Sequence, residues 1–173
     1  MGLVGFSWGI GGVLAMLLFA VYRLAPMAIE LSALTLSSLQ WIALLFSIGY
    51  MAYAEGYRGF HLSFAPRLIV RARYLKTHVS PLTTVLAPLF CMGFIHATRE
   101  RMILSISLTL MIVCFVFAVR MLPQPWRGIV DAGVVTGLLL GVGSIFYYFV
   151  QSLVRPDLLK APSDVPGITS IES

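Results

Sequence analysis

Apolar residues in this 173-residue chain collect into five blocks, each about as long as the hydrocarbon core of a bilayer is thick. No other feature restricts the fold so strongly, because a helix rising about 1.5 Å per residue needs about 20 residues to cross about 30 Å of hydrocarbon. The blocks run over 3–22, 29–54, 79–97, 102–119 and 129–150. With 59% hydrophobic and 11% charged residues, the chain holds far more apolar surface than one small water-soluble core encloses. The expected class is an all-α integral membrane protein, a bundle of about five transmembrane helices forming a single domain over 1–150. The third block is the least apolar and contains Pro81, Thr83, Thr84 and Pro88. Pro88 predicts a kink, since it lacks the N–H that would bond the Thr84 carbonyl. Were this block re-entrant, both chain ends would fall on one side.

Residues 1–22 lack a basic leading region and carry too long an apolar run for a signal peptide. Phe6 stands where a myristoylation signal requires Ser or Thr.

Orientation follows from the basic residues. Arg58, Arg67, Arg71, Arg73 and Lys76 crowd into the connector 55–78, in a chain with only 12 Lys and Arg. Five crossings would put them with Arg120 and Arg127 on one side, against Arg23, Arg99, Arg101, Arg155 and Lys160 on the other. The expectation is a bacterial-type cytoplasmic (inner) membrane, with the N-terminus and connector inside and the C-terminus outside.

Within the connector, Pro66 suits the first turn of a helix. Leu68, Ala72, Leu75 and Val79 recur on one side of it, and Arg67, Arg71, Tyr74 and His78 on another. That pattern predicts a short amphipathic helix lying in the headgroup layer between spans 2 and 3, its basic face toward anionic lipid. Just before it stands Glu55-Gly56-Tyr57-Arg58-Gly59-Phe60-His61. A carboxylate at a helix C-terminus opposes the macrodipole, so Arg58 is the expected partner of Glu55. Gly56 and Gly59 are expected to turn the chain out of the helix. Glu55, Arg58, His61 and Arg67, joined by Arg71, Arg73 and Lys76, form the candidate polar or lipid-headgroup site.

The predicted spans are almost free of ionisable groups, which usually mark ion and proton paths. Asp131 is the exception, placed to pair with Arg127 or to complement the start of the fifth span, and is the one candidate for transport. Cys91 and Cys114 read as small core residues. With His61, His78 and His96 spread over both sides, no metal site and no cofactor is expected. Gly133, Gly137 and Gly141 repeat every four residues along the fifth span, and Gly5, Gly9 and Gly12 more loosely along the first. Such stripes allow close helix packing, here expected between these two spans. Ser37, Ser38, Ser47, Ser105, Ser107, Thr109 and Gln40 are expected to pack between helices. Residues 151–173, with Pro156, Pro162 and Pro166 among polar residues, are expected to be disordered.

No nucleophile elbow, phosphate loop or metal-ligand spacing occurs in the connectors. The sequence therefore points first to a non-enzymatic assembly or accessory protein that contacts anionic lipid and a protein partner or second copy, with no nucleic acid. A small transporter or channel is the alternative. A membrane enzyme acting on a lipid-like substrate through Glu55, Arg58 and His61 ranks below both.

Overall fold

The computed structural model describes residues 2–77, 84–95 and 99–155. Helix α1 spans Gly2–Ile29 and runs into a 3-10 turn at Glu30–Ala33. Next, α2 (Ser38–Met51), a π-helix (Ala52–Phe64) and α3 (Ala65–Thr77) follow one another without a break. After the undescribed 78–83 come α4 (Ala87–Cys91), α5 (Arg99–Arg120) and α6 (Trp126–Val154). Among the described residues, three helical stretches are long and apolar enough to cross a membrane: Val4–Ala33, Met102–Arg120 and Trp126–Val154.

Register between the long helices comes from close contacts. Phe6 of α1 stacks on Phe149 of α6 with ring centroids 6.0 Å apart. At the other end, a Cβ on Gly128 would touch Met27 O and Leu31. The two helices are therefore antiparallel, and 21 residue steps separate the two levels on each, about 32 Å and close to a hydrocarbon thickness. The α2–π segment runs parallel to α6, with Ser47 against Gly133, Glu55 against Gly137 and Phe60 against Gly141.

Several expectations are corrected. The first span does not stop at Tyr22, because α1 continues through Pro26 to Ile29. The second does not start at 29: α2 is opened at Ser37, whose hydroxyl accepts from Gln40 N–H while the Gln40 side chain accepts from Ser37 N–H. That reciprocal capping box fixes the boundary, so Ser37 and Gln40 cap a helix instead of packing between helices. The expected span 79–97 is not one helix in its described part, 84–95. Residues 84 and 85 are helical, a turn at Leu86 interrupts the helix, and α4 then runs for five residues with Pro88 in its first turn, where its missing N–H costs nothing. A full set of C-terminal bonds ends α4: Gly93 N–H to Phe90 O, Phe94 N–H to Leu89 O, and Gly93 at φ 85°.

The connector does not leave the bundle either. Gly56 and Gly59 remain helical, and Gly56 is used for packing, its vacant side-chain position filled by Leu140. The wider π geometry ends where Ala65 N–H bonds Phe60 O, five residues back, immediately before Pro66. In an α-helix the Pro66 ring would press on the Leu62 carbonyl. Helix α3 exists as expected, and Leu68, Ala72 and Leu75 do share a face, but that face is the core instead of a lipid contact. Ala65, Leu68, Ile69, Ala72 and Leu75 pack with Phe6, Ile10 and Val13 of α1, Ala87, Phe90 and Cys91 of α4, and Ile145 of α6. The core thus lies at the end of the bundle marked by Phe6 and Phe149. Val79 and His78 lie outside the described residues, as do His96 and 156–173 of the expected tail. Residues 151–154 belong to α6.

Candidate functional site

The two glycine stripes do not meet each other. On α1, Gly5 faces Leu75 and Thr84, Gly9 faces Ala87 and Cys91, and Gly12 faces Pro88. On α6, the stripe receives the α2–π segment: Ser47 and Met51 at Gly133, Met51 and Glu55 at Gly137, and the Phe60 ring at Gly141. Each stripe lets a neighbour approach to backbone distance, as small residues do in membranes. The neighbour is a different one in each case.

Because the helix continues through residue 55, Glu55 is carried to the level of Gly137 and away from any helix end. Gly137 lies nine residues past Gly128, so the carboxyl sits about 13 Å inside the bundle. A Cβ on Gly137 would be 3.0 Å from Glu55 Oε2, 3.2 Å from Glu55 Cβ and 3.3 Å from Met51 O. Oε2 is buried with no hydrogen-bond partner. The expected Glu55–Arg58 pair is not formed, and Arg58 is exposed. Helix continuity explains this: with no helix end at Glu55, the carboxyl turns into the α6 seam instead of along the helix surface.

His61 lies further along, inside an aromatic group. Its ring centroid is 5.8 Å from Tyr57, 5.8 Å from Tyr147 and 5.2 Å from Tyr148. Tyr53 stacks on Tyr57 in turn, at 6.2 Å. His61 is turned to Tyr147 and Tyr148, Glu55 to Gly137, and Arg58 is exposed, so the three side chains do not form one site. The Tyr147–Tyr148 contribution was not legible, because nothing local in the sequence links those tyrosines to His61.

Arg71 has the role furthest from expectation. It is 3% exposed, and its Nε donates to Phe90 O at 2.7 Å and its Nη2 to Ile95 O at 2.8 Å. The guanidinium carbon stands 4.6 Å from the Phe90 ring centroid, and Tyr74 stacks on the same ring at 6.0 Å. Phe90 O already accepts from Gly93 N–H, so Arg71 adds a second donor there and satisfies Ile95 O, four residues past α4, where an open carbonyl in an apolar setting is costly. These bonds turn Arg71 toward the core and not toward anionic lipid. Arg67 and Arg73 are half-buried and engaged, and Lys76 lies in the last turns of α3.

Asp131 is also 3% exposed, with Oδ2 3.7 Å from Arg127 Nε one turn earlier. Two residue steps turn an α-helix by 200°, so Asp131 faces away from the Gly133 seam and from Glu55. Nearby, Gln124 donates to Glu30 Oε2 at 3.1 Å and accepts from Gly128 N–H at 3.1 Å, tying the 3-10 turn to the start of α6. Hydroxyls of Thr109, Thr136 and Ser144 bond carbonyls four residues back in their own helices. Among the described residues, no three His, Cys, Asp or Glu side chains cluster as metal ligands. Cys91 is buried and Cys114 exposed.

Helix α5 stands apart: of its described residues only Val119 is buried, and Ser105 Oγ reaches Met92 O at 3.4 Å. No protein-family model matches the chain, and no curated protein or solved structure is detectably similar to it.

Proposed function

We propose that the chain is a non-enzymatic assembly or accessory component of a bacterial-type cytoplasmic membrane, and that α5 is the helix it offers to a membrane partner. The observation that carries this reading is the exposure of α5. Ser107, Cys114 and Ala118 fall on one side of α5 by helical spacing and are exposed. A seam of small side chains is what a second helix needs to approach closely in lipid.

Four crossings, through α1, the α2–π segment, α5 and α6, fit the register better than five. Helices α3 and α4 would then form a re-entrant cap on the side that holds both chain ends. Arg67, Arg71, Arg73, Lys76, Arg99, Arg101, Arg155 and Lys160 would share that side, against Arg23, Arg120 and Arg127 on the other, with Arg58 inside the second crossing. That bias favours a cytoplasmic cap more strongly than the five-crossing count does, and it brings the C-terminus inside. The exposed Arg99 would meet anionic headgroups there, worth about 1 kcal/mol near such a surface.

Native mass spectrometry of the protein extracted gently from its own membrane tests the assignment. A stoichiometric foreign subunit, lost when Cys114 and Ala118 are replaced by Leu, supports it. A monomer or homo-oligomer carrying only lipid overturns it. A small transporter is the second reading, favoured by one observation, the carboxyl of Glu55 at depth in the α2–α6 seam.

A further inference from the structure

We propose that Glu55 is a proton-binding carboxyl in the membrane interior, seated in the notch that Gly137 leaves in α6. The inference deepens the second reading above, and its test is kept separable from that reading. Glu55 Oε2 is sealed from solvent and has no hydrogen-bond partner. An ionised carboxylate in such a place needs a cation or donors to offset its desolvation.

The surrounding elements supply neither. On α6, Gly133, Gly137, Leu140 and Gly141 line the seam. Asp131 and Arg127 pair with each other, with Asp131 turned to the opposite face. On α2 no ionisable side chain precedes Tyr50, and Tyr50, Tyr53, Tyr57 and Arg58 are exposed. His61 sits with Tyr147 and Tyr148. On α3 the first cation is Arg67, twelve residues on, and Arg71 is committed to the α4 carbonyls.

A protonated carboxyl has an acceptor at hand. Met51 O, the carbonyl one turn earlier, opens onto the same notch: it and Glu55 Oε2 stand 3.3 and 3.0 Å from the point a Cβ on Gly137 would occupy. A metal cation fits less well. Hard cations take about six to eight oxygens, whereas the Ser47 oxygens lie a turn away at Gly133. Glu55 as a whole is only half-buried, so an apolar reagent in the lipid can reach the acid through the open side of the seam. Loss of the proton would leave a charge against the α6 backbone and draw water into the seam. Proton occupancy is thereby coupled to closure of the π-helix on α6.

The test uses the full chain in vesicles of phosphatidylethanolamine and phosphatidylglycerol, treated with dicyclohexylcarbodiimide. An acid adds across a carbodiimide C=N bond, its proton going to nitrogen and its oxygen to carbon, so the apolar reagent marks protonated carboxyls in apolar surroundings. Peptide mapping is expected to find the adduct on Glu55, falling about tenfold per unit of rising pH once the acid titrates, and to find none in Glu55→Gln. A water-soluble carbodiimide should mark Glu100 and spare Glu55. No adduct on Glu55 at any pH, or equal reaction with both reagents, overturns the proposal. Flux is read separately with a trapped pH dye. A labelled Glu55 without flux keeps the site and removes the transporter reading, whereas an unlabelled Glu55 removes the site whatever the flux.

Discussion

Two glycines on α6, ten residues apart, should respond to the same substitution with opposite sign. A Cβ at Gly133 would overlap Ser47 Oγ and stand 2.9 Å from Ser47 O and 3.1 Å from Met51 Cγ. The carbonyl is backbone, so the α2–α6 contact itself must open, and overpacking of this kind costs about 1–3 kcal/mol. Against it stands the intrinsic helix gain of Ala over Gly, up to about 1 kcal/mol. The net for Gly133→Ala is a loss of about 1–2 kcal/mol. At Gly143 nothing lies within 4 Å of the new methyl, so Gly143→Ala keeps the gain, about 0.5–1 kcal/mol. Gly137→Ala should fall between them, since the closest atom there is a carboxylate oxygen at 3.0 Å and Met51 O is further off at 3.3 Å. Unfolding by dodecyl sulfate in mixed micelles, followed by the fluorescence of Trp8, Trp41 and Trp126, measures all three. Equal effects at 133 and 143, or a stabilised Gly133→Ala, would refute the account of the stripe as a backbone-distance contact with α2.

Other perturbations test the rest of the bundle. Arg71→Met removes two charge-assisted bonds to the α4 end and its stacking on Phe90, and should cost about 3–5 kcal/mol in the same assay; Arg71→Lys should recover only part, since one ammonium lacks the guanidinium fork. Ser37→Ala breaks the capping box that opens α2 and should cost about 1 kcal/mol, whereas Ser38→Ala, one residue inside, should be near neutral. A lipid-soluble maleimide should label the exposed Cys114 and spare Cys91, which is packed on Gly9; the reverse pattern in mapped peptides would contradict the placement of α4 and α5.

The helices α5 and α6 were legible because each is a continuous apolar run, and nothing in the surroundings is needed to read it. The region 52–95 was not, and the reason is physical. Hydropathy assigns Glu55, Arg58, Arg67 and Arg71 to a solvated connector, but the folded chain satisfies Arg71 with its own carbonyls at Phe90 and Ile95. Gly56 reads equally well as a turn or as a packing notch, and only Leu140, 84 residues away, decides between them. The face of Leu68, Ala72 and Leu75 was read correctly from its spacing, yet spacing alone says that a face is buried and not what buries it. Pro88 was read as a mid-helix kink, because the Schellman end at Gly93 that makes α4 so short carries only a weak local signal. Of the candidate site, Glu55 was singled out for its charge, and its depth followed only from the register with Gly137.

The proposed four crossings would place the α3–α4 cap and both chain ends on one side of the membrane. Paired fusions of a fluorescent protein and of alkaline phosphatase, made to the N-terminus, after Leu122 and to the C-terminus in a bacterial host, test it most directly. Four crossings predict fluorescence at both termini and phosphatase activity after Leu122. An active phosphatase and a dark fluorescent protein at the C-terminus, with the N-terminal fusion fluorescent, would mean an odd number of crossings and would contradict the account.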